Sequence, residues 1–369
     1  MEKMGLNKMV TFTNFWRNKR VLITGHTGFK GTWLLIWLTT MGAKVAGIAD
    51  IDNHSFFSEV RKELDFSHHL NDVRNLDALK KIVNEFNPEI VFHMAAQPLV
   101  IEGYKNPIKT FESNIMGTAN ILESLRESSG IKSIVVITTD KVYENDNTGN
   151  PLTENSKLGG KDPYSSSKAA CELVTKSYKD SYFKNQKAFI ATARSGNVIG
   201  GGDWGEHRLI PDLMKCILNK EDIFIVRSPN AVRPWQHVLE PLHGYLILAM
   251  KGFKHELEEY CFNFGPSLDS CKTVQEITEL SCNIWNSLDT GISPEIKYQQ
   301  SQYEEAELLY LDTSRTKNLL SFTNIWDFNQ SVYRTIQWYS NYKKKISAIE
   351  LCRKDINFYC SAEPNKCKK

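Results

Sequence analysis

A chain of 369 residues, 41% hydrophobic and 24% charged, reads as soluble and globular, with room for one large α/β domain or two smaller ones. Its formal charge of +2 creates no field that would gather nucleic acid, and no stretch approaches the ~18 apolar residues of a membrane span. The opening "MEKMGLNKMVTFTNFWRNKR" lacks the apolar centre of a secretory signal, and the eight cysteines form no CxxC pair. The expectation is therefore a cytoplasmic protein with reduced thiols and no metal, the group Cys352, Cys360 and Cys367 included.

In chain order, "RVLIT" (20–24) predicts a strand and residues 29–41 a helix, and "AKVAGIA" (43–49) predicts a second strand. "ALKKIVNEF" is helical, "EIVFHMA" (89–95) a strand, and 107–128 a long helix. The run "SIVVITTDKVYEN" (133–145) begins as a buried parallel strand and ends, with no turn residue, on Thr139, Asp140 and Lys141. "DPYSSSKAACELVTKSYKDSYF" is helical and "AFIATARSGNVIG" a strand. This alternation predicts an α/β fold, a doubly wound parallel sheet of Rossmann type over residues 18–200. From the Gly-rich "GGGDWGEHRLIPD" onward the regularity breaks. Residues 201–345 read as a smaller mixed C-terminal substrate-binding part lying over the sheet's ligand edge, free to interleave with the sheet, and 346–369 as a polar, basic tail.

Gly25, Gly28 and Gly31 stand between the first strand and its helix in the spacing G-x-x-G-x-x-G. Glycines let the backbone approach a pyrophosphate, and the helix N-terminus offers N–H donors and positive potential. Asp50 ends the second strand, 19 residues after Gly31, where an acid would bond a ribose 2′-OH and repel a 2′-phosphate; Asp52 competes for that role. Asp72 follows the third strand and is either a contact to adenine or a helix N-cap. Tyr164 and Lys168 lie four apart on one helical face, an arrangement in which the cation favours a phenolate. For His26, His93, Trp204 and Trp235 a structural role is at least as good a reading as a ligand contact.

Together, "TGHTGFKG", "HMAAQ", "TTDKVY", "YSSSK" and "SGNVIGGGDW" resemble the extended short-chain dehydrogenase/reductase family over residues 18–345. Within it the chain looks like the nucleotide-sugar 4,6-dehydratases, through "GHTGFKG", "FHMAAQPLV", "GGKDPYSSSK", "RLIPD" and "RPWQHVLEPL". The resemblance implies bound NAD, a nucleotide-sugar substrate and a homodimer. It assigns Gly25, Gly28, Phe29, Lys30, Gly31, Asp50, Asp72, Ala95, Ala96, Tyr164 and Lys168 to the cofactor, and Gln97, Asn197, Arg208 and Arg233 to the substrate. It makes Thr139, Asp140, Lys141, Tyr164 and Lys168 catalytic. Val142 departs from the Cys often found there, and Lys141 stands where related dTDP-glucose enzymes carry Glu.

In the implied cycle Tyr164 takes the O4 proton during C4 oxidation, while Thr139 polarises the ketone. Lys141 removes the C5 proton or, protonated, stabilises the enolate, and Asp140 protonates the departing C6 hydroxyl if burial raises its pKa. A 4-epimerase on the same scaffold needs the Tyr–Lys pair but no adjacent acid and base. A non-catalytic dinucleotide sensor would be expected to lose Tyr164 and Lys168, and both are present.

Overall fold

The computed structural model describes residues 12–52, 54–145, 149–288, 291–299 and 309–362. Seven short runs become strands, all but the third rich in buried apolar residues: β1 (Arg20–Thr24), β2 (Lys44–Ala49), β3 (Ser67–Leu70), β4 (Ile90–His93), β5 (Ser133–Ile137), β6 (Phe189–Ser195) and β7 (Cys261–Phe264). They form one sheet in the order β7-β6-β5-β4-β1-β2-β3, every neighbouring pair parallel. The order reverses between β1 and β4, where Thr24 stands in register with His93. In an open parallel sheet, the crevice at the strands' carboxyl ends beside such a switch point takes the ligand.

Successive strand residues face opposite layers, so one run feeds two cores. Val21, Ile23, Phe92, Val135 and Ile137 join one, and Leu22, Val91, Ile134 and Val136 the other. The first core is covered by α1 (Phe29–Thr40), through Trp33 to Leu38. The second is covered by α2 (Leu76–Phe86), capped by Asn75 Oδ1 accepting from Ala78 N, and by α3 (Gly117–Leu125). The predicted helix over 107–128 is helical from Pro107 to Leu125, with a π turn at Glu112–Met116. Next comes α4 (Pro163–Tyr178), where Asp162 caps the Ser165 amide and Pro163 fills a position that needs no N–H. Then α5 (Leu239–Phe253) extends the first core, followed by α6 (Phe328–Lys343).

The C-terminal part is mixed, as expected. Val198–Ile199 pairs with Gln236–His237, Val232–Pro234 with Cys271–Thr273, and Ile223–Arg227 with Glu295–Gln299. Residues Cys261–Phe264 from this part of the chain supply β7 at the edge of the main sheet. The expected polar tail from 346 needs correction. Ala348–Ala362 form α7, whose Ile349, Cys352, Ile356 and Tyr359 are buried in the first core. Those positions make one helical stripe among charged residues, which composition alone obscures. Buried Trp37 on α1, whose residues Gly31 to Leu38 are all buried, gives the stripe its partner: the Tyr359 ring lies 5.8 Å from it, and Tyr359 Oη donates to Glu240 Oε2 at 2.7 Å. Cys367 lies outside the described residues.

Candidate active site

The glycine loop is set by close approach. Gly25 has φ +73°, and a Cβ there would stand 2.8 Å from the Ala95 backbone. One on Gly31 would collide with Gly25 O. At Gly28 the nearest atom would be 3.5 Å away, so the protein's own packing leaves that side of the loop open. The open side, with helix α1 beginning at Phe29, fits a pyrophosphate. His26 does not face that side. It is buried, its Nε2 2.8 Å from His68 Nδ1, and any Cβ on Gly47 would collide with its ring.

The remaining cofactor candidates gather around this loop. Phe29 and Lys30 are half-buried in the first turn of α1. The Lys30 amine lies 6.0 Å from the Tyr245 ring centre and is lowered to about 8 by burial; Asp140 opposes the shift, and Arg208 and Lys168 add to it. Asp50 is exposed at the end of β2 with no ion pair among the described residues, whereas Asp52 pairs with Arg61 at 3.4 Å. Asp50 is thus the freer acid for a ribose. Asp72 is not the cap of α2. Its carboxylate accepts from Arg74 at 2.6 Å, which holds it below the usual carboxylate range. Ala95 follows β4, and its N–H donates to Thr24 Oγ1 at 3.2 Å, as does that of Met94 at 3.1 Å; Ala96 is half-buried beside it. His93 is a buried core group between Thr24 Oγ1 at 2.7 Å and Thr118 Oγ1 at 3.1 Å.

β5 delivers the catalytic candidates. Its end turns into a 3-10 turn over Asp140–Val142. Thr139 and Asp140 are buried, and Lys141 is half-buried. Asp140 Oδ1 accepts from Thr139 Oγ1 at 2.9 Å and from Lys141 Nζ at 3.4 Å. A Cβ on Gly196 would lie 2.6 Å from Asp140 Oδ2, so that glycine lets the acid pack against the backbone after β6. Beside Asp140 a small cleft, with room for about one water, is lined by Pro234, Gln236, Tyr310 and Leu311.

Tyr164 and Lys168, both buried on α4, face this turn. Burial pushes the Tyr164 phenol above its usual range, a hydrogen bond with Thr139 opposes the shift, and Asp140 adds to it. Lys168 Nζ donates to Ile137 O at 3.1 Å, and burial lowers it while Cys171 and Glu172 raise it.

The substrate candidates divide. Asn197 is half-buried directly after Gly196. Arg208 Nη1 donates to both Asp203 oxygens, at 3.0 and 2.9 Å. Arg233 Nη1 donates to Val232 O at 2.8 Å on the strand that borders the cleft. Gln97 has an internal role: its Nε2 donates to Leu99 O and Thr110 Oγ1, and its Oε1 accepts from Leu99 N. Its amide therefore clasps its own loop. Trp235 is buried with Nε1 donating to Lys272 O, and Trp204 packs edge-on against Tyr339, so both serve packing.

Sequence reasoning missed the buried polar groups behind the turn. Glu172, Arg194 and Tyr143 are all buried. Glu172 continues the i, i+4 series from Tyr164 and Lys168, the one signal that could have placed it on the same face.

The profile of a family described as GDP-mannose 4,6 dehydratase matches residues 22–335. The chain is 39% identical over 358 residues to the CDP-glucose 4,6-dehydratase of Salmonella typhimurium, covering 95% of this chain and 98% of that protein. The UDP-glucuronate 4-epimerase of Thermodesulfobacterium geofontis is 24% identical, with 89% and 99% covered. Among solved structures, the dTDP-glucose 4,6-dehydratase of Bacillus anthracis in complex with NAD is similar with a TM-score of 0.74 at 20% identity, covering 90% of this chain and 99% of that one. The UDP-glucose 4-epimerase of Brucella ovis in complex with NAD gives 0.73 at 19%, with 86% and 97% covered. At such identities these structures speak for the fold alone.

Proposed function

Since the chain belongs to the GDP-mannose 4,6 dehydratase family, we propose that it converts a nucleotide-hexose, CDP-glucose foremost, into its 4-keto-6-deoxy derivative, a hydro-lyase reaction with NAD as resident cofactor. The observation that carries this reading is the Thr139–Asp140–Lys141 turn, with Thr139 and Asp140 buried and Lys141 half-buried, facing Tyr164 at the carboxyl edge of the sheet. An epimerase has no use for an acid and an amine joined at 3.4 Å beside its tyrosine. The nucleotide follows the relative that is 39% identical.

The open side of the glycine loop fits the cofactor pyrophosphate, and Asp50 fits the ribose hydroxyls. NAD, when bound, supplies reversible hydride acceptance, so the reaction has no net redox change. Tyr164 takes the O4 proton, with Thr139 hydrogen-bonded to the phenol and positioned to bond the O4 region. Tyr164 accepts that proton as the phenolate, a form that burial disfavours and that the positive charge of a bound NAD nicotinamide would favour. The ketone makes C5–H acidic. Lys141 then takes that proton or, as a cation, stabilises the enolate, and Asp140 gives a proton to the C6 hydroxyl as it departs. Arg208, Arg233 and Asn197 are the diphosphate ligands, since the guanidinium fork matches phosphate oxygens.

The chain works as a homodimer in this reading. Tyr104 at 66% and Ile108 at 68% exposure, with exposed Ile101, Met116 and Leu173, give neighbouring helices an apolar surface that a second copy would cover. Free thiols at the seven described cysteines support a reducing compartment, the cytoplasm. Among the described residues no helix is long and apolar enough to cross a membrane. The product is of the class that deoxysugar pathways, such as those for lipopolysaccharide O-antigen, consume. Incubation with CDP-, dTDP-, UDP- and GDP-hexoses tests the proposal. The expected result is ultraviolet-absorbing 4-keto-6-deoxy product, formed fastest from CDP-glucose; a C4-inverted sugar without loss of water would replace the reading with epimerisation.

A further inference from the structure

Behind the catalytic turn lies a buried ion pair with no part in the chemistry above. Arg194 Nη2 on β6 meets Glu172 Oε2 on α4 at 2.7 Å, both side chains at 2% exposure or less. The partners of this pair form a pattern. Thr138, the residue before the turn's Thr139, donates its hydroxyl to Glu172 Oε1 at 2.6 Å. Tyr143, the residue after Val142, accepts from Arg194 Nη1 at 2.7 Å and donates to Asn263 Oδ1 on β7 at 2.6 Å. The Arg194 guanidinium also lies 5.0 Å from the Tyr143 ring centre. Thr192 on β6 donates to Glu172 Oε2 at 2.6 Å. The Asp140–Lys141 turn is thus fastened on both flanks to one ion pair.

The carriers of that pair matter. Glu172 projects from the helix that holds Tyr164 and Lys168, and Lys168 Nζ grips Ile137 O on the same strand. Arg194 belongs to β6, hydrogen-bonded along β5, whose end is the turn. The pair therefore fixes the turn relative to the tyrosine rather than to the protein at large. Stability is a poor reason for such an arrangement, because desolvating two charges consumes most of their attraction, and apolar replacements are often neutral or stabilising. A hydrogen-bonded buried network does specify one geometry. Apart from Arg194 Nε, which is buried without a partner, the guanidinium and its neighbours are bonded: Glu154 O accepts from Arg194 Nη1 at 3.2 Å, and Glu154 Oε1 accepts from Asn263 N at 2.9 Å.

We infer that Glu172, Arg194, Thr138 and Tyr143 are positioning residues that hold Asp140 and Lys141 at the distance from Tyr164 needed for elimination after C4 oxidation. The inference rests on the dehydratase reading. Proton transfer demands near-attack geometry, and a displacement of about 1 Å costs on the order of 100-fold in rate. Oxidation at C4 uses Tyr164 and Lys168 on their own helix, so it depends less on the turn.

The test removes one hydroxyl at a time. Thr138→Val keeps the shape and deletes the bond to Glu172; Tyr143→Phe deletes the bridge from Arg194 to Asn263; Thr138→Ser restores the first bond. Thr138→Val and Tyr143→Phe should melt as cooperatively as wild type and bind NAD normally. Their KM should stay within about 3-fold while kcat falls roughly 10–100-fold, with reduced nicotinamide accumulating in the steady state. Thr138→Ser should recover most of kcat. Wild-type kcat in both variants would overturn the inference, as would activity lost only in step with folding and NAD affinity, with Thr138→Ser no better. Crystal structures of wild type and Thr138→Val decide independently of substrate: a displaced turn is expected, and an unmoved one overturns the proposal. If wild type dehydrates no sugar nucleotide, the functional reading fails, and the crystallographic comparison still judges the fastening.

Discussion

Replacing Lys141 with alanine separates the two halves of the reaction. In the structure Lys141 Nζ touches Asp140 Oδ1 at 3.4 Å, and its side chain is 37% exposed. A pair with one partner that exposed contributes no more than about 1 kcal/mol to stability, so in a chain of this size Lys141→Ala should lower the melting temperature by roughly 2 °C or less. The chemical effect is far larger. Losing a positioned acid–base group costs about 10²–10⁴-fold, or roughly 2.7–5.5 kcal/mol of barrier. Tyr164 and Lys168 remain on α4, so oxidation of C4 should proceed, and the stalled enzyme should hold reduced nicotinamide and a 4-keto sugar that keeps its C6 hydroxyl. Single-turnover absorbance of the reduced cofactor, beside solvent deuterium exchange at C5, reads both halves. Tyr164→Phe is the control and should show no early reduction. If Lys141→Ala blocks cofactor reduction as Tyr164→Phe does, while folding and NAD binding are intact, the reasoning is refuted and Lys141 serves the first step.

The protein should release NAD rather than NADP when denatured, because Asp50 would repel a 2′-phosphate; predominant NADP would remove Asp50 from the ribose site. Arg233→Ala should weaken substrate binding by about 1.5–3 kcal/mol with kcat little changed, as for a charged contact made equally throughout the reaction; isothermal titration and steady-state kinetics distinguish this from a loss confined to turnover. Acid should destabilise the fold. Burial lowers His26 and His243 to about 4 and His93 and His237 to about 3. Between pH 6.5 and about 4 the unfolded chain therefore binds protons that the native chain refuses. Stability from these groups is complete above pH 6.5 and lost as pH falls, while Asp355, raised to about 7 by burial, opposes with one proton. Four histidines against one carboxyl, at about 1.4 kcal/mol per proton per pH unit, bound the slope at roughly 4 kcal/mol per pH unit. Urea unfolding at pH 7, 6 and 5 measures it, and equal midpoints would contradict the burial of these rings.

Local pattern determined the sheet. β1, β4, β5 and β6 are apolar runs because both of their faces are buried, and a both-sided burial is written in consecutive residues. The glycine spacing and the Tyr164–Lys168 interval were equally legible, since close backbone approach and a shared helical face are properties of short segments. Tertiary structure decided what depends on distant partners. What the Gln97 amide bonds was decided by Leu99 and Thr110, and which of Asp50 and Asp52 is ion-paired by Arg61. The helix Ala348–Ala362 reads as a polar tail until α1 supplies a buried surface for its stripe. Glu172 and Arg194 are 22 residues apart in sequence and 2.7 Å apart in space. Two charged residues in a helix and a strand carry no local mark of burial. Only the packing of α4 against β5 and β6 removes water from both, and that makes them partners.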